Sequence, residues 1–191
     1  GLAWVGVVPF RMQGVRPRLT PALPWLSAFP ELNVRTYVKV RDRGVEKTGV
    51  YFFSLEAANP VAVAVARSTF KLPYFNARMS LVEKAGTIHY HSRRTHRNAP
   101  AAEFVGSYHP TGGVYQSQSG AFDAWLTERY ALYTVSGRGQ VYIGEIHHLP
   151  WSLQPATAEI AVNTMAAASR LMLPATQPIL HFARHLDVVV W

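Results

Sequence analysis

The 191-residue chain is 49% hydrophobic and 16% charged, the balance of one folded domain around one core, which excludes a disordered chain and leaves little room for two cores. No apolar run reaches the roughly 18–20 residues of a membrane-spanning helix, and the absence of cysteine excludes a disulfide scaffold, a thiolate zinc site, an iron–sulfur cluster and a cysteine nucleophile. Nineteen Lys and Arg, fifteen of them Arg, against eleven Asp and Glu give a net charge of +8, which admits nucleic acid, an anionic surface or an anionic small molecule as partner.

The opening Gly1–Phe10 lacks an initiator methionine and the charged start and cleavage site of a signal peptide. It reads as a strand joined midway, and a cytoplasmic location is the default. Ala3–Phe10 predicts a buried strand, and the four prolines between Arg11 and Pro30 predict a long loop. From Leu32 to Val40 the chain alternates, with Leu32, Val34, Thr36, Val38 and Val40 on one face and Asn33, Arg35, Tyr37 and Lys39 on the other. A charged turn around Gly44 leads to a paired strand, Val50–Leu55. Asn59-Pro60 is an N-cap followed by proline at the first helical position, so a helix is predicted through about Phe70, although Val61–Val65 also has a strand period.

Beyond Pro73, strands are predicted at Tyr74–Glu83, Thr87–Arg93 and Glu103–Tyr108. Ser119–Arg129 reads as a helix burying Phe122, Trp125 and Leu126. Tyr130–Val135 and Gln140–His147 form a hairpin across Ser136–Gly139. A strand at Gln154–Ile160, a short helix at Asn163–Leu171 and a last strand at Ile179–Trp191 complete one β-rich domain of mainly β (α+β) class. Most of the basic residues are spread along the chain, and Arg93-Arg94-Thr95-His96-Arg97 is the one true cluster.

The eight histidines include His89 and His91 on one strand face, but no metal-ligand spacing accompanies them, and no metal is assigned. No nucleophile elbow, P-loop or dinucleotide fingerprint is present, and no cofactor is implied. Glu31, Glu103, Glu128 and Glu145 sit where a β interior could hold them. They form either an acid/base set in a cavity or a structural ion-pair network.

The runs Ala66–Met79, Trp4–Phe10, Phe29–Val38, Leu126–Tyr130 and Gly144–Trp151 resemble the YqjF-like family of bacterial proteins over nearly the whole chain. The family's usual opening helix and strand ahead of Trp4 are missing, so a native N-terminal segment is expected to precede residue 1. The family is similar at a greater distance to acetoacetate decarboxylases, a resemblance that implies a closed β cone or barrel holding a small keto acid. Those enzymes form a Schiff base through the first lysine of a Pro-Lys-Lys motif. Aligned on Pro73, the two lysine positions hold Tyr74 and Phe75, and an acid that approaches substrate falls near Glu31. The nearest lysine, Lys71, lies three residues upstream, roughly 10 Å of extended chain, so Schiff-base decarboxylation is not expected.

The resemblance implies an interior cavity for a keto-acid-like ligand, and the residues, if both strand faces point inward, suit a small polar or anionic one. Tyr74 and Glu31 are the candidate proton carriers of a lyase- or hydratase-like acid/base activity. Arg35 and Arg78 are the anion anchors, with Asn33, Asn76, Glu128 and His147 as further ligand-binding candidates. Alternatively, Arg35 and Arg78 pair with Glu31 and Glu128 and leave no site. A different class of function, nucleic-acid or anionic-surface binding, would use Arg16, Arg18, Arg93, Arg94 and Arg97 and is disfavoured. A homo-oligomeric scaffold with solubilising basic loops is the third reading.

Overall fold

The computed structural model describes residues 3–14, 28–42 and 44–190. Among them, twelve strands form one curled half-barrel sheet. In chain order these are β1 (Val5–Met12), β2 (Phe29–Asp42), β3 (Val45–Ala57), β4 (Tyr74–Lys84), β5 (Thr87–Arg94), β6 (Glu103–Pro110), β7 (Tyr115–Gln116), β8 (Ala131–Val135), β9 (Val141–His147), β10 (Ser152–Asn163), β11 (His181–Ala183) and β12 (Val189–Val190). Helix α1 (Pro60–Thr69) follows β3, and helix α2 (Phe122–Thr127) precedes β8.

The main path of the sheet is β11-β10-β6-β5-β4-β3-β8-β9-β12, with β1 and β2 stacked on the other edge of β3. β3 pairs with β2 along its whole length. Its other edge meets β4 at Leu55–Ala57 and β8 at Val50–Tyr51, both in parallel. The crossing with β8 requires a residue without a side chain. A Cβ on Gly49 would lie 2.3 Å from the Ala131 carbonyl oxygen.

The predicted alternation in β2 sorts its residues to opposite faces of the sheet. Leu32 and Val34 are fully buried in the largest apolar cluster, with Tyr90, Phe104 and Met165, and Phe53, Met79 and Tyr108 pack around them. These side chains pack together on one face of the sheet. The opposite face carries Phe29, Ala57 and Val63 of α1 in one smaller cluster, and Val50, Phe52 and Leu55 in another. A bulge between Val34 and Arg35 leaves Phe53 without a partner on β2, and the two faces receive Phe53 and Phe52 separately.

Helix α1 begins as its sequence predicts, with Asn59 Oδ1 accepting from the N–H groups of Val61 and Ala62 at 3.0 and 3.1 Å. Several boundaries differ from expectation. β1 runs on to Met12 and β2 starts at Phe29, while most of the predicted loop, residues 15–27, lies outside the described residues. Gly120 adopts φ +84°, and α2 starts only at Phe122 and ends at Thr127. Its buried residues are Ala124 and Thr127, whereas Phe122 and Trp125 remain substantially exposed and stack on each other.

Residues 163–171 form no α-helix. β10 extends through Asn163, Met165 and Ala166 plug into the core, and a single 3-10 turn follows at Ala167–Ser169. The predicted last strand divides in two, because His181–Ala183 joins β10 and Val189–Val190 joins β9. No helix among the described residues is long and apolar enough to cross a membrane.

Candidate functional site

Residues paired across neighbouring strands point to the same side of a sheet. Glu31 pairs with Ala57, and Ala57 with Asn76; Asn33 pairs with Leu55, and Leu55 with Tyr74. Two adjacent rows thus gather Glu31, Asn76, Asn33 and Tyr74 on the face away from Leu32 and Val34. Val63 of α1 packs against this face in the cluster that includes Ala57 and Tyr74.

Here the Tyr74 hydroxyl donates to Glu31 Oε2 at 3.0 Å. Glu31 is 3% exposed and has no cation beside it among the described residues. Burial disfavours its charged form and pushes its carboxyl up to about 8; the Tyr74 hydrogen bond opposes that shift, and the Glu56 charge adds to it. Burial, with the Glu31 carboxyl next to it, raises the Tyr74 phenol well above its ordinary range. Near neutral pH, Glu31 is therefore mostly protonated and Tyr74 is a fixed donor.

Asn33 Oδ1 and Asn76 Oδ1 are both buried and have no hydrogen-bond partner. A buried amide oxygen without a partner costs about 1–3 kcal/mol, so the two place an unmet demand for hydrogen-bond donors beside Glu31. The Asn76 N–H donates to His96 Nδ1 at 3.2 Å. Burial, followed by the Arg67 and Arg94 charges, lowers the His96 imidazole below its usual range. An open groove of about 430 Å³ lies over Asn76, lined by Val63, Arg67, Ser68 and His96 among others. Neither Glu31 nor Tyr74 lines it. The Arg67 guanidinium, on the wall of this groove, donates to the Tyr74 carbonyl at 2.6 Å.

The other predicted site residues are scattered. Arg78 is exposed on β4, and Arg35 lies further along β2 with its guanidinium 5.8 Å from the Tyr37 ring. Neither has an ion pair or hydrogen bond with Glu31 or Glu128 among the described residues. Glu128 ends α2, accepting from the Tyr130 hydroxyl and from the Trp151 N–H at 3.4 Å. His147 is exposed on β9, its ring 6.4 Å from that of Tyr130. Lys71 is exposed after α1, where its Nζ donates to the Ser68 carbonyl at 2.6 Å.

A second buried charged group lies on the Leu32 and Val34 face of the sheet and was not foreseen. Glu56 and Arg94 form an ion pair with side chains 0% and 2% exposed. Arg94 Nε donates to Glu56 Oε1 at 3.0 Å, its Nη1 to the Pro100 carbonyl at 3.1 Å, and the guanidinium lies 4.0 Å from the Phe75 ring centre. Burial raises the Glu56 carboxyl, with Arg94 the main opposing influence. The strand period of Ile88, Tyr90, Ser92 and Arg94 was the available signal that Arg94 points inward. Its burial takes Arg94 out of the basic cluster, leaving Arg93 and Arg97 exposed; Arg16 and Arg18 lie outside the described residues.

Comparison with known proteins bears out the resemblance to the YqjF-like family. The uncharacterized protein YqjF of Bacillus subtilis (strain 168) is 44% identical over all 191 residues of this chain, which span 76% of that protein. Among solved structures, acetoacetate decarboxylase from Legionella pneumophila subsp. pneumophila str. Philadelphia 1 is similar over 96% of this chain and 80% of its own. The TM-score of that match is 0.47 and the identity 14%. The model of DUF2071, described as an uncharacterized conserved protein, matches residues 1–187, and the chain belongs to that family.

Proposed function

We propose that the protein binds a small polar molecule bearing a carbonyl, hydroxyl groups or both, keto acids and their hydrated forms among them, at Glu31, Tyr74, Asn33 and Asn76. The observation that carries this reading is a buried carboxyl with no cation, held by one tyrosine and flanked by two amide oxygens that lack donors. A structural carboxylate at that depth would be paired with a cation, as Glu56 is with Arg94. A protonated Glu31 can donate to a ligand carbonyl oxygen, while the two asparagines accept from ligand hydroxyls.

Acid/base catalysis follows from the same arrangement. An acid with a pKa near the working pH transfers its proton efficiently. As Glu31 gives its proton to a carbonyl oxygen, the Tyr74 hydroxyl remains donated to the carboxylate that forms. Tyr74 thus stabilises the base without itself titrating. Arg67 and His96 at the groove offer positive charge or donors to any carboxylate on the ligand.

Titration calorimetry with pyruvate, acetoacetate and glycerate tests this reading. At least one of them should bind, with affinity weakened in Asn33→Ala and Asn76→Ala and falling about tenfold per pH unit above about 8. Binding that is independent of pH, or unchanged in both asparagine variants, would overturn it, as would no binding of any of the three.

A further inference from the structure

Further along the sheet face that carries Glu31, two arginines meet around aromatic rings with no counter-ion among the described residues. The Arg129 guanidinium lies 4.5 Å from the Trp125 ring centre and 5.6 Å from that of Tyr37, and Arg35 lies 5.8 Å from the same Tyr37 ring. Arg129 is 7% exposed. Its Nε donates to the Trp125 carbonyl at 2.7 Å, but its Nη2 is buried with no partner, and so is Arg35 Nε. Burial and the Arg35 charge both depress the Arg129 pKa.

Among the described residues, no acid pairs with either guanidinium. The ion pairs of the described residues engage Glu46, Glu56, Glu83 and Glu145 with other cations. Asp123 accepts from the Ala124 N–H, and Glu128 from Tyr130 and Trp151. Residues 15–27 contain no Asp or Glu at all.

Two buried guanidinium N–H groups without acceptors are a costly arrangement for stability alone. A planar guanidinium fork suits carboxylate and phosphate oxygens. The neighbouring rings add a flat apolar surface: Trp125 stacks on Phe122 at 5.8 Å, and Phe122 lies 4.6 Å from Trp4. Gly6 packs closely against this pair, where a Cβ would stand 3.3 Å from the Tyr37 hydroxyl and 3.5 Å from Arg35 Cγ.

We propose that Arg35 and Arg129, with Tyr37 and Trp125, form a binding site for a small oxyanion carried on a flat apolar group. This site shares no residue with the Glu31 site, and its test stands apart from that of the proposed function. Titration calorimetry of the full chain at low ionic strength, with benzoate, phenyl phosphate and inorganic phosphate as probes, examines it directly. The aryl oxyanions are expected to bind, more tightly than inorganic phosphate. Arg35→Met and Arg129→Met should each weaken aryl binding by roughly tenfold or more, Arg129→Lys should restore part of it, and Glu31→Gln should leave it unchanged.

Absence of binding to the wild-type chain by all three probes would overturn the proposal, a result that needs no folded variant. So would aryl binding that survives both Met substitutions at full strength. Inorganic phosphate binding as tightly as phenyl phosphate would refute the aromatic part of the site.

Discussion

Replacing Glu31 by glutamine should reverse the sign of its effect on stability as the pH rises. The wild-type carboxyl moves from an ordinary 4.5 in the unfolded chain to about 8 in the fold. Between those values the folded state holds the proton more tightly, so folding stability is complete below about 4.5 and drains away as the pH rises to about 8. A shift of that size corresponds to about 5 kcal/mol across the window. Glutamine keeps the shape and an oxygen that can accept from the Tyr74 hydroxyl, but carries no titrating group. Urea unfolding of both proteins at intervals between about pH 4 and 9 reads the difference. The variant should gain on the wild type by several kcal/mol from the acid to the alkaline end, the gain complete by about pH 9. Stability curves that stay parallel within about 1 kcal/mol would rule out the raised carboxyl, because Glu31 would then titrate alike in both states.

Breaking the inner ion pair with Arg94→Met should cost about 3–5 kcal/mol in urea unfolding, whereas the double variant Glu56→Leu/Arg94→Met should recover much of that loss, since it leaves no unpaired buried charge. Gly49→Ala should destabilise by about 1–3 kcal/mol or more, because its methyl meets the Ala131 carbonyl oxygen, and β3 and β8 would have to part; denaturant midpoints measure this. Borohydride reduction in the presence of pyruvate or acetoacetate should leave every lysine unmodified by peptide mass spectrometry. An adduct on Lys71 would show imine chemistry on the side chain that here lies against the Ser68 carbonyl.

The local features were legible because their causes are local. Asn59-Pro60 supplies a cap and a fixed first-turn φ, which is enough to start α1 despite the strand-like period that follows. Alternation in β2 separated Leu32 and Val34 from Asn33 and Arg35 as the sheet does. Features that depend on distant registry were not legible. Glu31 and Tyr74 meet only because β3 lies between β2 and β4 and aligns Asn33, Leu55 and Tyr74 in one row. The spacing of the two residues in sequence carries no trace of that.

The same limit explains the misread charges. Arg94 stands in a run of basic residues that looks like a solvated loop, yet β5 extends through it and the strand parity turns it toward Glu56. Arg129 follows a short helix whose aromatic residues were expected to be buried. Trp125 stays largely exposed, and the guanidinium stacks beneath it. Residues 179–191 look like one strand by composition, but they serve two separated edges of the sheet and break between them.

The most direct test of the Glu31 site is to follow the side-chain amide resonances of Asn33 and Asn76 by NMR as pyruvate, acetoacetate or glycerate is added at neutral pH. Both amides should shift with at least one of these ligands, the exposed Arg78 and His147 should not, and the response should fade above about pH 8 as Glu31 ionises. Amide resonances that stay fixed with all three ligands, or that respond equally at acid and alkaline pH, would contradict it.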